Sequence, residues 1–169
     1  MKSRLFFVSL FLLILFSACN GKGTTDITGK WQTEYTVKTG FSESKDTDAL
    51  DVFFNVKQKI NYEFLSDGKY TKNVVQKLES VENPNEIALP SFNEIAKDID
   101  NSLTIFGTYE VKNGKINFLA NEIMLSDGTQ YLYEDYQELN SFIDPSETLD
   151  VFTLKDGVLT ISDFKYKKL

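Results

Sequence analysis

Beyond an apolar start, polar and apolar positions alternate along most of the chain. From Gly29 to Lys38, residues Trp31, Thr33, Tyr35 and Val37 fall on one face and Gln32, Glu34, Thr36 and Lys38 on the other, the period-two signature of a half-buried strand. Val52 to Leu65 repeats the pattern over a longer run. Val52, Phe54, Val56, Ile60, Tyr62 and Phe64 alternate with Asn55, Lys57, Lys59, Asn61 and Glu63, and only Gln58 interrupts the apolar face. Ser66-Asp67-Gly68-Lys69 then predicts a tight hairpin, because Asp-Gly supplies the positive-φ positions of a type I′ turn. Tyr70 to Leu78 returns as a third strand, with Tyr70, Val74 and Leu78 on one face. Leu103 to Lys112 and Lys115 to Leu125 form a predicted pair across Asn113-Gly114, and Thr129 to Tyr136 follows Asp127-Gly128. Thr148 to Lys155 pairs with Val158 to Lys167 across Asp156-Gly157. The pattern therefore predicts eight strands.

Three stretches fall outside this grammar. Thr39 to Asp48 and Gln137 to Glu147 are polar and aperiodic, and are predicted as surface loops. Glu79 to Ser102 is too long for a plain connection in a compact domain. Within it, Ser91-Phe92-Asn93-Glu94 has the form of a capping box behind Pro90, and Phe92, Ile95, Ala96 and Ile99 make one apolar stripe. This predicts one short inserted helix, from about Ser91 to Ile99, which must dock on the barrel to persist. Alternating strand directions bring 39–51 and 79–102 to one end, and the turns at 67 and 113 to the other. Phe92, Ile95 and Ile99 are therefore expected to lid an open barrel mouth, with Trp31 plugging the closed end. Eight neighbour-paired strands suit an all-β, antiparallel up-and-down barrel, in which closure removes sticky edges. An immunoglobulin-type sandwich would need Greek-key connections, and four tight hairpins leave few places for them.

Composition narrows the chemistry. With 41% hydrophobic and 14% aromatic residues, 169 residues can bury one core. The net charge of −7 becomes two units more negative if Lys2 and Arg4 leave with a signal peptide, so no nucleic acid partner is expected. No histidine and a single cysteine exclude Cys-His and Ser-His nucleophiles, a His-ligated metal and an internal disulfide. Glu134, Asp135, Glu138, Asp144 and Glu147 match no fixed ligand spacing and read as a solvated acidic face. The expectation is a non-enzyme with no catalytic residue, metal or cofactor.

The N-terminus reads as an address. Met1 to Arg4 is basic, and the apolar run from Leu5 to Phe16 is too short to cross a bilayer as a helix. Leu15-Phe16-Ser17-Ala18-Cys19 resembles the lipobox of bacterial lipoproteins. That resemblance implies a signal peptide at 1–18, an acylated Cys19 and an exported protein anchored by lipid (palmitate among the acyl chains) to a membrane of the cell envelope. Residues 19–28 are the anchor and a polar, glycine-bearing tether, leaving 29–169 as the barrel domain.

Gly29-x-Trp31 at the head of the first strand of an all-β meander resembles the lipocalin and calycin barrels, and more closely the lipocalin-like domains of bacterial surface lipoproteins. This implies an eight-stranded lipocalin-like barrel with a basic residue of the last strand near the tryptophan, for which Lys165 or Lys167 is the candidate. An eight-stranded barrel is either filled by side chains or holds one small ligand. Tyr35, Phe54, Tyr62, Phe64, Tyr109, Phe118, Tyr131 and Tyr133 are the inner-face candidates, and buried phenols need hydrogen-bond partners that a plain core would not. The expected function is binding of a small apolar molecule in the barrel. The alternative is a filled-core barrel serving as a protein-interaction or envelope accessory module, its protein partner unknown.

Overall fold

The computed structural model describes residues 25–41, 52–84, 86, 88–139 and 146–169. The predicted signal, Cys19, Asp144 and most of the two polar loops lie outside the described residues. In chain order the elements are β1 (Gly29–Phe41), β2 (Val52–Phe64), β3 (Lys69–Glu82), α1 (Phe92–Ile99), β4 (Asn101–Lys112) and β5 (Lys115–Leu125). They continue with β6 (Gln130–Leu132), α2 (Tyr133–Leu139), β7 (Glu147–Lys155), β8 (Val158–Ile161) and β9 (Phe164–Lys168). Strands β1 to β5, then β7, β8 and β9, each pair antiparallel with the next. β9 returns to β1 through Trp31↔Lys168 and Gln32↔Lys167, closing an eight-stranded up-and-down barrel.

Two predicted strands are corrected. Residues 129–136 contribute only the spur β6, bonded to the far end of β5 at Glu122 to Met124, and the chain then turns into α2. Glu134 and Asp135 lie in the first turn of that helix, where carboxylates complement the helix dipole, and Tyr133 and Tyr136 share one side at i, i+3. The predicted last strand divides instead into β8 and β9 at Ser162-Asp163, with Ser162 at φ 51°. One strand lost and one gained keep the barrel at eight.

The hairpin turns are of two kinds. Asn113-Gly114 and Asp156-Gly157 have positive φ at both residues (54° and 73°, 52° and 75°), as a type I′ turn requires. At Leu65 to Lys69 and at Leu125 to Thr129, only the glycine has positive φ. There the aspartate carboxylate accepts the N–H two residues on, from Lys69 at 3.1 Å and Thr129 at 2.9 Å. These two Leu-Ser-Asp-Gly turns are wider, aspartate-braced loops, which corrects the type I′ expectation for Asp67-Gly68.

The closed end is built around Trp31, 1% exposed, whose indole N–H donates to the carbonyl of Ile27 at 2.8 Å. Ile27 is itself 1% exposed, so the segment before β1 folds under the barrel. The cation over the indole is Lys168, with Nζ 5.4 Å from the ring centroid, rather than Lys165 or Lys167. Alternation explains the difference: Lys168 is the cross-strand partner of Trp31 and points to its face. Gly29 makes room for it, since a Cβ there would stand 3.0 Å from the Lys168 chain.

At the other end β1, β2 and β3 run on past their barrel neighbours. β3 loses β4 beyond Gln76 and β1 loses β9 beyond Gln32, while β1 and β2 stay paired to Phe41↔Val52. The result is a three-stranded arm with Val52, Val56 and Leu78 buried along one face. Helix α1 docks on this arm through β3. Its capping box forms as predicted, Glu94 accepting from the Ser91 N–H at 2.8 Å. The Asp100 carboxylate accepts the Leu78 N–H at 2.7 Å, satisfying a strand edge that β4 does not reach.

Candidate functional site

Cross-strand partners share a face of the sheet, so the pairing register identifies what lines the barrel interior. Tyr62 pairs with Lys72 and Lys72 with Ile105, placing a lysine on the same inner row as a buried tyrosine. Phe118 pairs with Thr148 and Ile116 with Asp150. Because Ile116 and Phe118 are 0% and 5% exposed, Thr148 and Asp150 face inward too. These rows surround a lumen cavity of about 180 Å³, whose lining also includes Tyr70, Ala120, Ser146 and, from α2, Tyr133.

The floor and walls are aromatic. Tyr62 stacks on Phe64 at 5.2 Å and on Phe118 at 5.7 Å, Tyr70 meets Phe118 edge-on at 5.1 Å, and Tyr166 meets Tyr62 edge-on at 5.4 Å. Such pairs add modestly to the burial they accompany. Lys72 Nζ stands 5.7 Å from the Tyr62 ring centroid, and in an exposed contact at β7 the Ser162 hydroxyl donates to Asp150 Oδ1 at 2.7 Å. Burial pushes the Tyr70 phenol well above its ordinary pKa, with Tyr133 adding to the rise. Burial does the same at Tyr166, with smaller contributions from Tyr35 and Asp150. Both phenols therefore keep their protons throughout the physiological range.

Of the predicted aromatics, Tyr62, Phe118 and Tyr133 line the cavity. Phe64 lies beneath them in the core, edge-on to Tyr109 at 4.9 Å. The Tyr109 hydroxyl donates to the Leu65 carbonyl at 2.9 Å, at the closed end. Tyr35 donates to Gln58 Oε1 at 2.7 Å and stacks on Phe164 at 4.7 Å, where β1 leaves the barrel. Phe54 belongs to the arm, opposite Val81, and Tyr131 stacks on Tyr136 at 5.5 Å beside α2. Glu134, Asp135, Glu138 and Glu147 are exposed.

The predicted lid is placed elsewhere. No residue of α1 is buried, and Phe92 is 46% exposed, beside the outward-facing Val75 and Lys77 on the wall of the arm. Phe92, Ile95 and Ile99 contribute nothing to the cavity lining. The edge of β3 holds α1 there, and the helix that covers the lumen is α2 through Tyr133, 4% exposed.

Sequence reasoning missed Lys72, Ser146, Thr148 and Asp150. Lys72 sits two residues from Tyr70 and Val74, on the face already assigned to the interior, so its position was available from the same alternation. On β7, Phe152 is buried while Leu149 and Val151 are each 61% exposed. The first half of the strand presents Thr148 and Asp150 inward and Leu149 and Val151 to solvent, and Phe152 and Leu154 then return the inward row to the core. Larger depressions exist on the outer surface, such as one beside Lys115, Glu147 and Leu149, but they are open dishes with exposed walls.

No family model matches this sequence, and no curated protein matches it significantly.

Proposed function

We propose that the chain is a lipid-anchored envelope protein, of the lipocalin-like kind, whose barrel binds one small molecule in its lumen. The observation that carries this is the polarity of β7. The half-buried Ser146, Thr148 and Asp150 line a cavity together with Lys72 from the opposite wall, and a few convergent polar groups beside aromatic walls are what orients a small ligand in a pocket. A strand selected only to fill the core would place Leu149 and Val151 inside. The cavity of about 180 Å³ lies below the usual scale of roughly 300 Å³ for drug-sized ligands. The occupant is therefore small, and the lining suits a polar molecule with an apolar body better than the purely apolar one expected from the aromatic pattern.

A protein-interaction role is the second reading, and the same strand favours it. Leu119, Leu149 and Val151 form an exposed apolar group on the outer wall of β5 and β7, and such patches mark contact surfaces when they are large.

Native mass spectrometry of the full chain extracted from its own envelope separates the two, run beside an Ala120→Leu variant that fills the lumen. A small bound mass on the wild-type chain that the variant lacks is the expected result. A wild-type chain that carries no small molecule, or a bound mass unchanged by the variant, refutes lumen binding and leaves the outer wall as the functional surface.

A further inference from the structure

We propose that the closed end of the barrel docks on a membrane surface rich in anionic phospholipid, through Lys112, Lys115, Lys155 and Lys167. The proposal rests on the lipid-anchored part of the reading above and is independent of what the lumen holds. Residues 25–30 enter the barrel at this end, and the turns at Leu65 to Lys69, Asn113-Gly114 and Asp156-Gly157 surround them. Lys112 and Lys115 flank the second turn and Lys155 opens the third. Lys167 stands one strand further round, in register with Val158. All four are exposed.

The outer face of the sheet treats its lysines in two ways. On the arm, Lys57 and Lys38 each meet a carboxylate from another strand, Glu34 and Glu82, both at 2.6 Å. At the closed end Lys30 pairs with Glu63 at 3.6 Å and Lys69 with Asp67 at 3.0 Å, and Lys168 lies over Trp31 with Asp26 as its counter-charge. Lys112, Lys115, Lys155 and Lys167 form no ion pair among the described residues. Lys112 stands directly opposite Lys115 across its hairpin, and Lys155, Val158 and Lys167 make one cross-strand row. Like charges directly opposite one another destabilise a sheet, and a carboxylate at either position would have served folding better. The remaining acidic side chains here are Glu110 and Asp156, so the lysines outnumber them two to one on a chain of net charge −7. Positive charge is gathered at the end from which the chain leaves for its anchor.

Reach agrees with this. From Cys19 to Thr25 the chain spans at most about 20 Å even when fully extended, so an acylated Cys19 holds this end close to the lipid headgroups. A lysine near an anionic membrane gains about 1 kcal/mol, and Glu110 and Asp156 offset part of the sum. Such a contact is weak for a free domain. For a tethered one it is an intramolecular step at high effective concentration, enough to set orientation and to turn the end opposite Trp31 away from the membrane.

Amine labelling tests the contact. The full chain carrying its N-terminal lipid is reconstituted into phosphatidylcholine vesicles with and without about 30% phosphatidylglycerol, acetylated with a water-soluble reagent and read by peptide mass spectrometry. Lys112, Lys115, Lys155 and Lys167 are expected to react at least about threefold more slowly on the anionic vesicles. The difference should vanish at about 1 M salt, where the screening length falls to about 3 Å. Lys59, Lys77 and Lys97, away from the closed end, should react equally on both vesicles and serve as internal controls, so no variant needs to fold. Equal rates for the closed-end lysines on the two vesicles, protection that persists at high salt, or slowing of the control lysines instead overturns the docking and leaves the anchor intact. A chain retained on neither vesicle refutes the anchor, and the docking falls with it.

Discussion

Raising the pH should unfold this barrel through two particular phenols. Tyr70 and Tyr166 are 5% and 3% exposed, and burial, the larger cause in each, raises both above the ordinary value of 10.0. A phenol whose pKa rises on folding keeps its proton in the native state after the unfolded chain has lost it. Its contribution is fully present below the unfolded value and is lost as pH climbs towards the folded one. At about pH 11, one unit above the unfolded phenol, each such group costs about 1.4 kcal/mol. The pair therefore costs about 3 kcal/mol, a large share of the roughly 5–15 kcal/mol that holds a domain together. Tyr70 also lines the cavity, whereas Tyr166 lies outside that lining and is the cleaner of the two to test. Urea unfolding followed by circular dichroism at about pH 8 and about pH 11 measures the loss, and Tyr166→Phe and Tyr70→Phe assign it. Surface pairs such as Lys57–Glu34 and Lys38–Glu82, both at 2.6 Å, are common to every variant and cancel in the comparison. The expected result is a Tyr166→Phe protein that loses about 1.4 kcal/mol less than wild type between those two pH values. Parallel losses in wild type and both variants would show that the phenols titrate freely and that the packing described around Tyr62 is wrong.

Gly107→Ala should lower stability by about 1–3 kcal/mol in a thermal melt, because its Cβ would collide with the Leu119 carbonyl and stand 2.7 Å from the Tyr70 ring; a loss no greater than that of Gly114→Ala, where a Cβ meets nothing within 4 Å and only the φ of 73° resists, would refute this. Trp31→Phe removes the donor to the Ile27 carbonyl and should cost about 1–3 kcal/mol in urea unfolding, while leaving lumen affinity unchanged; a matching drop in affinity would mean that the two ends are coupled. Cys19→Ser should shift the chain from the membrane to the soluble fraction on cell fractionation, and retention in the membrane would contradict lipid anchoring. Proteolysis of the membrane-bound chain should cut first within 39–51 and 79–102, at the end opposite Trp31, and protection of both by the bilayer would reverse the expected orientation.

The turns were the most legible part of the chain, because a positive φ leaves few choices of residue. Asn113-Gly114 and Asp156-Gly157 predicted their hairpins outright, and the two Leu-Ser-Asp-Gly turns lie where expected, though in a wider form. Where no glycine punctuates, local pattern was weaker. Ser162 takes a left-handed turn with no glycine to announce it, and the tyrosines of 131–136 read as strand although Tyr133, Tyr136 and the acidic pair between them also satisfy a helix. Location of the cavity fell between these cases. Thr148 to Phe152 contains the consecutive apolar residues Val151 and Phe152, which admit either face as the inner one, and hydrophobicity alone votes for Leu149 and Val151. Pairing with β5 decides otherwise, since Thr148 and Asp150 stand opposite Phe118 and Ile116, and register is a property of two strands that neither carries alone. Phe152 settles the same question from within the strand. Once one large aromatic is committed to the interior, every second residue behind it follows, and those residues are Asp150, Thr148 and Ser146. A strand that gives up two apolar positions to solvent and holds that row inward is what the proposed lumen binding would require, which is why the charged and hydroxylated positions of β3 and β7, more than the aromatic ones, are the places to perturb first.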